Sequence, residues 1–80
     1  MSQTLRSPRH EALTAFIIEK RKKAGLTQAE VAKRLKRYQS FVATVESGQR
    51  RIDVVEFLDL ADAIGFDPKE AIKRLRAVRR

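Results

Sequence analysis

The chain has no cysteine and a single histidine, His10. That removes disulfides, thiolate catalysis and Cys-based zinc, and one imidazole cannot assemble a metal cluster. Its ten acidic residues offer no paired-carboxylate arrangement in an expected pocket, so acid–base catalysis has no candidates either. The expectation is therefore no enzyme, no metal and no cofactor. What the sequence does concentrate is hydrogen-bonding side chains and cations: Gln28, Gln39, Ser40, Thr44 and Ser47 alternate with Lys36, Arg37, Arg50 and Arg51. Amides and hydroxyls of this kind can bond base edges, and cationic groups can bond phosphates.

The charge is segregated along the chain. Eighteen Lys and Arg against ten Asp and Glu leave a net charge of +8. Residues 20–51 carry ten bases and two acids, residues 52–68 five acids and no base, and residues 69–80 six bases and one acid. Concentrated positive charge raises the local density of a polyanion and speeds its capture. Basic runs also serve simply to solvate helix faces, so charge alone does not decide the partner.

At 80 residues the chain makes one small domain, and 42% apolar with 35% charged residues suits a compact fold rather than a tail. A domain of this size buries about two-thirds of its unfolded surface, so its core is marginal and a second subunit would help it. The longest unbroken apolar stretch is Ala15 to Ile18, far short of the roughly 18 residues a membrane span needs. With a polar N-terminus as well, neither a signal peptide nor membrane association is expected, and the location implied is cytoplasmic, beside the nucleoid.

The elements that must position these groups are helical. Ser7-Pro8 has the form of an N-cap followed by proline in the first turn, and Leu13, Phe16, Ile17 and Ala24 recur at helical spacing until Gly25. Thr27-Gln28-Ala29-Glu30 has the form of a capping box, opening a short helix with Val31, Ala32 and Leu35 inside. A third helix is predicted from about Tyr38 to Glu46, with Tyr38, Phe41, Val42 and Val45 on its apolar side and Gly48 as its stop. Asp53 to Glu56 is a second box-like start for a helix reaching Gly65. Asp67-Pro68 opens a last helix with Ala71, Ile72, Leu75 and Val78 as its stripe. Residues 1–7 are expected to be a flexible arm, 8–78 the domain, and 79–80 a frayed tail.

Around the third helix, Ser40, Ala43, Thr44 and Ser47 lie together opposite Val42 and Val45, with Gln39 at its start. Gln39 can pair with adenine, the Ser40 and Thr44 hydroxyls with base edges or phosphates, and the Ala43 and Thr44 methyls with thymine. Two short helices separated by a few residues, the second followed by Gly, form a helix-turn-helix.

The residues themselves strengthen that reading. Gly25 to Ala32, then Leu35, Gln39-Ser40-Phe41-Val42 and Val45-Glu46-Ser47-Gly48, closely resemble the Cro/phage-repressor-type (xenobiotic-response-element) helix-turn-helix family. Arg50 to Leu58 and Ala63-Ile64-Gly65 extend the similarity, which covers roughly Leu13 to Pro68. The resemblance implies an all-α, lambda-repressor-like bundle of five helices. It further implies binding to operator-like double-stranded DNA, usually as a homodimer, with the third helix in the major groove. It gives Gln28 a phosphate contact and a hydrogen bond to Gln39, places Arg50 and Arg51 against phosphates, and pairs Arg21 with Glu46 inside the fold.

The chain also departs from the family pattern. Lys36 stands where the turn often has Gly, and Tyr38 where a capping hydroxyl or Pro is usual. Lys36, Arg37 and Ser47 are expected to meet phosphates, while base contacts fall to Gln39, Ser40, Ala43 and Thr44. With no Arg, Lys or Asn on the exposed face, base readout should be thin and affinity should come mainly from phosphates and DNA shape. The fourth helix has apolar residues over more than half its circumference, which makes Val55, Phe57, Leu58 and Ile64 candidates for a homodimer interface. The function expected is a transcriptional repressor. The alternative is an antitoxin-like or adaptor module that binds a protein partner, a toxin or another regulator, with DNA secondary.

Overall fold

The computed structural model describes residues 7–79, and the expected arm before Ser7 and the terminal Arg80 lie outside the described residues. Five helices follow in order: α1 (Pro8–Lys23), α2 (Gln28–Leu35), α3 (Gln39–Ser47), α4 (Val54–Ile64) and α5 (Pro68–Arg76). No strand occurs among the described residues.

Local chemistry sets most of these boundaries. The Ser7 hydroxyl accepts from the His10 backbone N–H at 3.1 Å and starts α1. Both halves of the Thr27–Glu30 box are made, at 3.0 and 2.8 Å. The Thr27 backbone N–H, followed by the Thr27 side chain, holds the Glu30 carboxyl below the usual carboxylate range. The box is therefore fully made above that range and is lost as pH falls through the lowered value. Asp53 and Glu56 repeat the arrangement at α4, and Asp67 caps α5 by accepting from the Lys69 N–H at 2.9 Å.

The core is a single cluster. Phe16 and Ile17 of α1, Val31 and Ala32 of α2, Phe41, Val42 and Val45 of α3, the inner face of α4, Phe66 and Ala71 are all buried. Phe66 meets Phe16 edge-on at 5.1 Å between ring centroids and Phe57 at 5.8 Å. α2 packs on both α3 and α4, while α1 packs on α3 and α5. Two ion pairs bind α5 to α1, Lys20–Glu70 and Arg74–Glu19, both at 3.1 Å.

Four expectations are corrected by this packing. On α4, Phe57, Leu60, Ala61 and Ile64 form the i, i+3, i+4, i+7 stripe and enter the core, so Phe57 and Ile64 are not interface residues. Val54, Val55 and Leu58 lie outside that stripe and are exposed. On α5, Ala71, Leu75 and Val78 share a narrow arc that excludes Ile72, which is half exposed. Tyr38 precedes the first turn of α3 and stands in water rather than on the apolar side. Ala24 falls beyond the last turn of α1 as its C-cap and is exposed, not part of the buried face.

The turn between α2 and α3 carries a backbone cost. Lys36 closes α2 in the left-handed region, at φ 59° and ψ 40°, where the other positive-φ residues described are glycines. A Cβ in that region crowds the following carbonyl oxygen. Lys36→Gly is expected to stabilise the fold by about 1 kcal/mol, read as a higher denaturation midpoint at unchanged m-value. An unmoved midpoint would show that the turn carries no such strain.

Candidate nucleic-acid interface

α3 is presented by a clamp on one of its flanks. Arg21 of α1 donates from Nε to Glu46 Oε2 at 2.6 Å and from Nη2 to Oε1 at 2.9 Å, a bidentate pair. Arg21 Nη1 donates to the Leu26 carbonyl at 2.9 Å. Gln28 Nε2 of α2 adds a third donor to Glu46, at 2.9 Å on Oε1. Side-chain exposure is 12% for Arg21 and 6% for Glu46, so both charges are largely dry and their pairing is obligatory. Hydrogen bonding to Glu46 raises the Arg21 guanidinium further above its already high value. The ion pair expected within the fold is present. The expected Gln28–Gln39 bond is not made: the Gln28 amide is drawn to the stronger acceptor, the Glu46 carboxylate.

The opposite flank is built on Phe41. The Arg37 guanidinium lies 3.8 Å from the ring centroid and that of Arg50 lies 4.9 Å from it. Arg50 Nη2 also donates to Glu56 Oε2, while Glu56 Oε1 accepts from the Asp53 backbone N–H at 3.2 Å. The loops before and after α3 are thereby tied to one ring and to the start of α4. Arg50 Nε is buried with no hydrogen-bond partner. The charge of Arg50, expected to meet a phosphate, is already partly balanced by Glu56.

Between the flanks runs the exposed strip of α3. At 3.6 residues per turn the order around the helix is Gln39, Ala43, Ser47, Ser40 and Thr44, with Glu46 bordering Gln39 and Phe41 bordering Thr44. Gln39, Ser40 and Ser47 are exposed, and Ala43 and Thr44 are half-buried. Two of the hydroxyls are engaged with their own helix. Thr44 Oγ1 donates to the Phe41 carbonyl at 2.8 Å, and Ser47 Oγ donates to the Thr44 carbonyl at 3.1 Å. Lys36, Arg37 and Arg51 are exposed in the loops beside the strip, and Arg50 is half-buried.

Sequence reasoning missed three tertiary roles. Arg34, read only as part of the basic stretch, donates from Nη1 to the Ala63 carbonyl at 2.8 Å and satisfies the C-terminal end of α4. Glu56 was legible as a cap, and its grip on Arg50 was not. Gln28 serves the clamp. No local spacing signals any of these: Arg34 and Gln28 depend on how separate helices meet, and Arg50 on how the loop after α3 folds back onto the start of α4.

A folded unit that holds a short helix outward between two cation-bearing loops belongs to a recognisable class. The helix-turn-helix domain family matches residues 1–75. The fold aligns with an XRE-family like protein from Pseudomonas syringae pv. tomato at 44% identity and a TM-score of 0.85, covering 94% of this chain and 92% of that one. The restriction-modification controller protein C.AhdI from Aeromonas hydrophila aligns at 32% identity and TM-score 0.72, over 78% of this chain and 94% of its own. The clp gene regulator ClgR from C. glutamicum shares the fold at 19% identity and TM-score 0.77, with 85% of this chain and 88% of that chain covered. No curated protein matches significantly. The chain belongs to the Cro/phage-repressor (XRE) type of the helix-turn-helix family, whose members are DNA-binding transcription regulators. No helix among the described residues is long and apolar enough to cross a membrane.

The clamp generates a stability test. Glu46→Ala leaves the Arg21 charge and the Gln28 amide without their acceptor, and is expected to lower the unfolding free energy by about 3–5 kcal/mol. A double-mutant cycle with Arg21→Met should show strong coupling, the pair of changes together costing much less than their sum. Additive losses would mean that the two residues act independently.

Proposed function

We propose that this protein is a transcriptional repressor that acts in the cytoplasm by occupying operator-like duplex DNA as a homodimer. The observation that carries this reading is the solvent-facing strip of α3, bounded by the Arg21–Glu46 clamp and by the Arg37 and Arg50 guanidinium groups on Phe41. The strip enters the major groove. Gln39 reads a base edge, Ser40 bonds a base or phosphate, and Ala43 and the Thr44 methyl approach thymine methyls. Small residues allow close approach.

Phosphates are held by Lys36, Arg37, Arg51, Ser47 and the remaining donors of Arg50. Because Phe41 and Glu56 already order Arg37 and Arg50, little side-chain entropy is left to lose on binding. Gln28 acts mainly by holding Glu46, with the adjacent start of α2 facing a phosphate. Dimerisation uses Val55 and Leu58 together with Val54, a group of exposed aliphatic side chains on α4 with 67%, 45% and 74% exposure. Two-fold symmetry then presents two copies of α3 about 34 Å apart, one turn of DNA.

Two experiments test this. Duplexes selected from a random pool are titrated at several salt concentrations. Gln39→Ala should weaken selected duplexes more than random ones, whereas Lys36→Ala should weaken both alike and lower the salt slope by about one. Equal loss of specificity in both variants would refute the division into reading and anchoring residues. Separately, Leu58→Asp should give a folded monomer by sedimentation equilibrium and weaken binding to two-fold-symmetric sites. A dimer unaffected by this change would place the interface elsewhere.

A further inference from the structure

Two residues at the α2–α3 corner go against what folding alone favours. Lys36 is the only described non-glycine residue with positive φ. Tyr38 occupies the N-cap of α3 and makes no capping hydrogen bond, although Ser7, Thr27, Asp53 and Asp67 cap the other four helices with side-chain oxygens. Nor does Tyr38 serve the core, since its exposure of 86% is the highest of the large hydrophobic residues described. Its ring stacks on no other aromatic ring and its hydroxyl has no partner among the described residues. A large ring held in water, where serine would give a firmer helix start, has no explanation in the stability of the free protein. Local rules of this kind are broken chiefly at sites of function.

The surroundings of Tyr38 indicate what it touches. It directly precedes Gln39, at the head of the exposed strip, and directly follows Lys36 and Arg37, two exposed cations. We propose that Tyr38 is a DNA-backbone contact: its ring packs on a deoxyribose and its phenol donates to a phosphate oxygen at the edge of the groove that α3 enters. This rests on the reading of α3 as the groove-entering helix. An amphipathic side chain with only two side-chain torsions to the ring suits the task, offering apolar area to the sugar and one donor to the phosphate. Being neutral, it adds affinity without displacing counterions. Because it meets backbone rather than bases, it adds equally on every sequence.

The contact therefore leaves a signature that neither a charged anchor nor a base reader shares. Tyr38→Ser and Tyr38→Phe are compared with the unaltered full chain on a random-sequence duplex and on a duplex selected by that chain. Tyr38→Ser should raise the melting temperature by about 4–8 °C through restored capping. It should also weaken both duplexes about five- to tenfold, with an unchanged salt slope. Tyr38→Phe, which keeps the ring and loses the donor, should fall between the two. Unweakened binding by Tyr38→Ser would overturn the proposal, as would a loss confined to the selected duplex or a changed slope. If the unaltered chain bound neither duplex, the DNA reading itself would fail, which is distinguishable from failure at Tyr38 alone.

Discussion

The Arg21–Glu46 pair is the constraint on which the exposed surface depends. α3 is nine residues long, too short to be stable as an isolated helix in water, so its position is set by what grips it. Phe41, Val42 and Val45 bury one side, but apolar packing is non-directional and tolerates small rotations. The bidentate fork from α1 and the amide from α2 converge on one carboxylate and fix the rotation of α3 about its own axis. The same geometry replaces the expected bond from Gln28 to Gln39 with one to Glu46. An amide that completes a nearly dry ion pair orients the helix beside it, and its second N–H and carbonyl oxygen are left over.

How much of this was legible in the sequence follows from the range of each interaction. Thr27–Glu30 and Asp53–Glu56 are three residues apart, and their reciprocal caps were readable because backbone geometry brings such residues together wherever a helix begins. The stop at Gly48 was readable because a left-handed residue after a helix suits glycine. Cation partners were not. Lys20–Glu70, Arg34 with the Ala63 carbonyl and Arg74–Glu19 join residues 50, 29 and 55 positions apart, and only the packed bundle brings them together. α4 shows the intermediate case. Its excess of apolar positions was visible, but which of them faced inward depended on where α2 and α5 lay, so Phe57 and Ile64 were misassigned while Val55 and Leu58 were exposed as expected.

Those partners also revise what the net charge means. Lys20, Arg21, Arg34, Arg50 and Arg74 are engaged in holding the fold, and the first four lie within the most basic segment. Their charges are wholly or partly compensated at short range, so they add less to the external field than their number implies. Lys36 and Arg37, at the corner before α3, are exposed and have no carboxylate partner among the described residues. α4 meanwhile carries exposed Asp59 and Asp62. A polyanion is therefore drawn to one part of the surface and repelled from another. The field orients the molecule as well as attracting it.

Specificity has to come from few groups. Thr44 and Ser47 already give their hydroxyl protons to carbonyls of α3, so toward DNA they could act only as acceptors. Gln39 and Ser40 are the strip residues whose polar groups are not engaged within the fold among the described residues. Two uncommitted side chains can discriminate only a few base pairs directly, and each good contact contributes about 1–3 kcal/mol. Under the proposed homodimeric reading, the remaining selectivity would reside in the DNA: in the spacing of two half-sites, and in how readily the intervening steps deform. A low, small-residue strip suits that mode of reading. In the proposed complex it would let the helix approach closely, so that the preordered cations beside Phe41 sense the spacing of the phosphates. Duplexes whose shape brings those phosphates within reach would then bind better even at bases that no side chain touches.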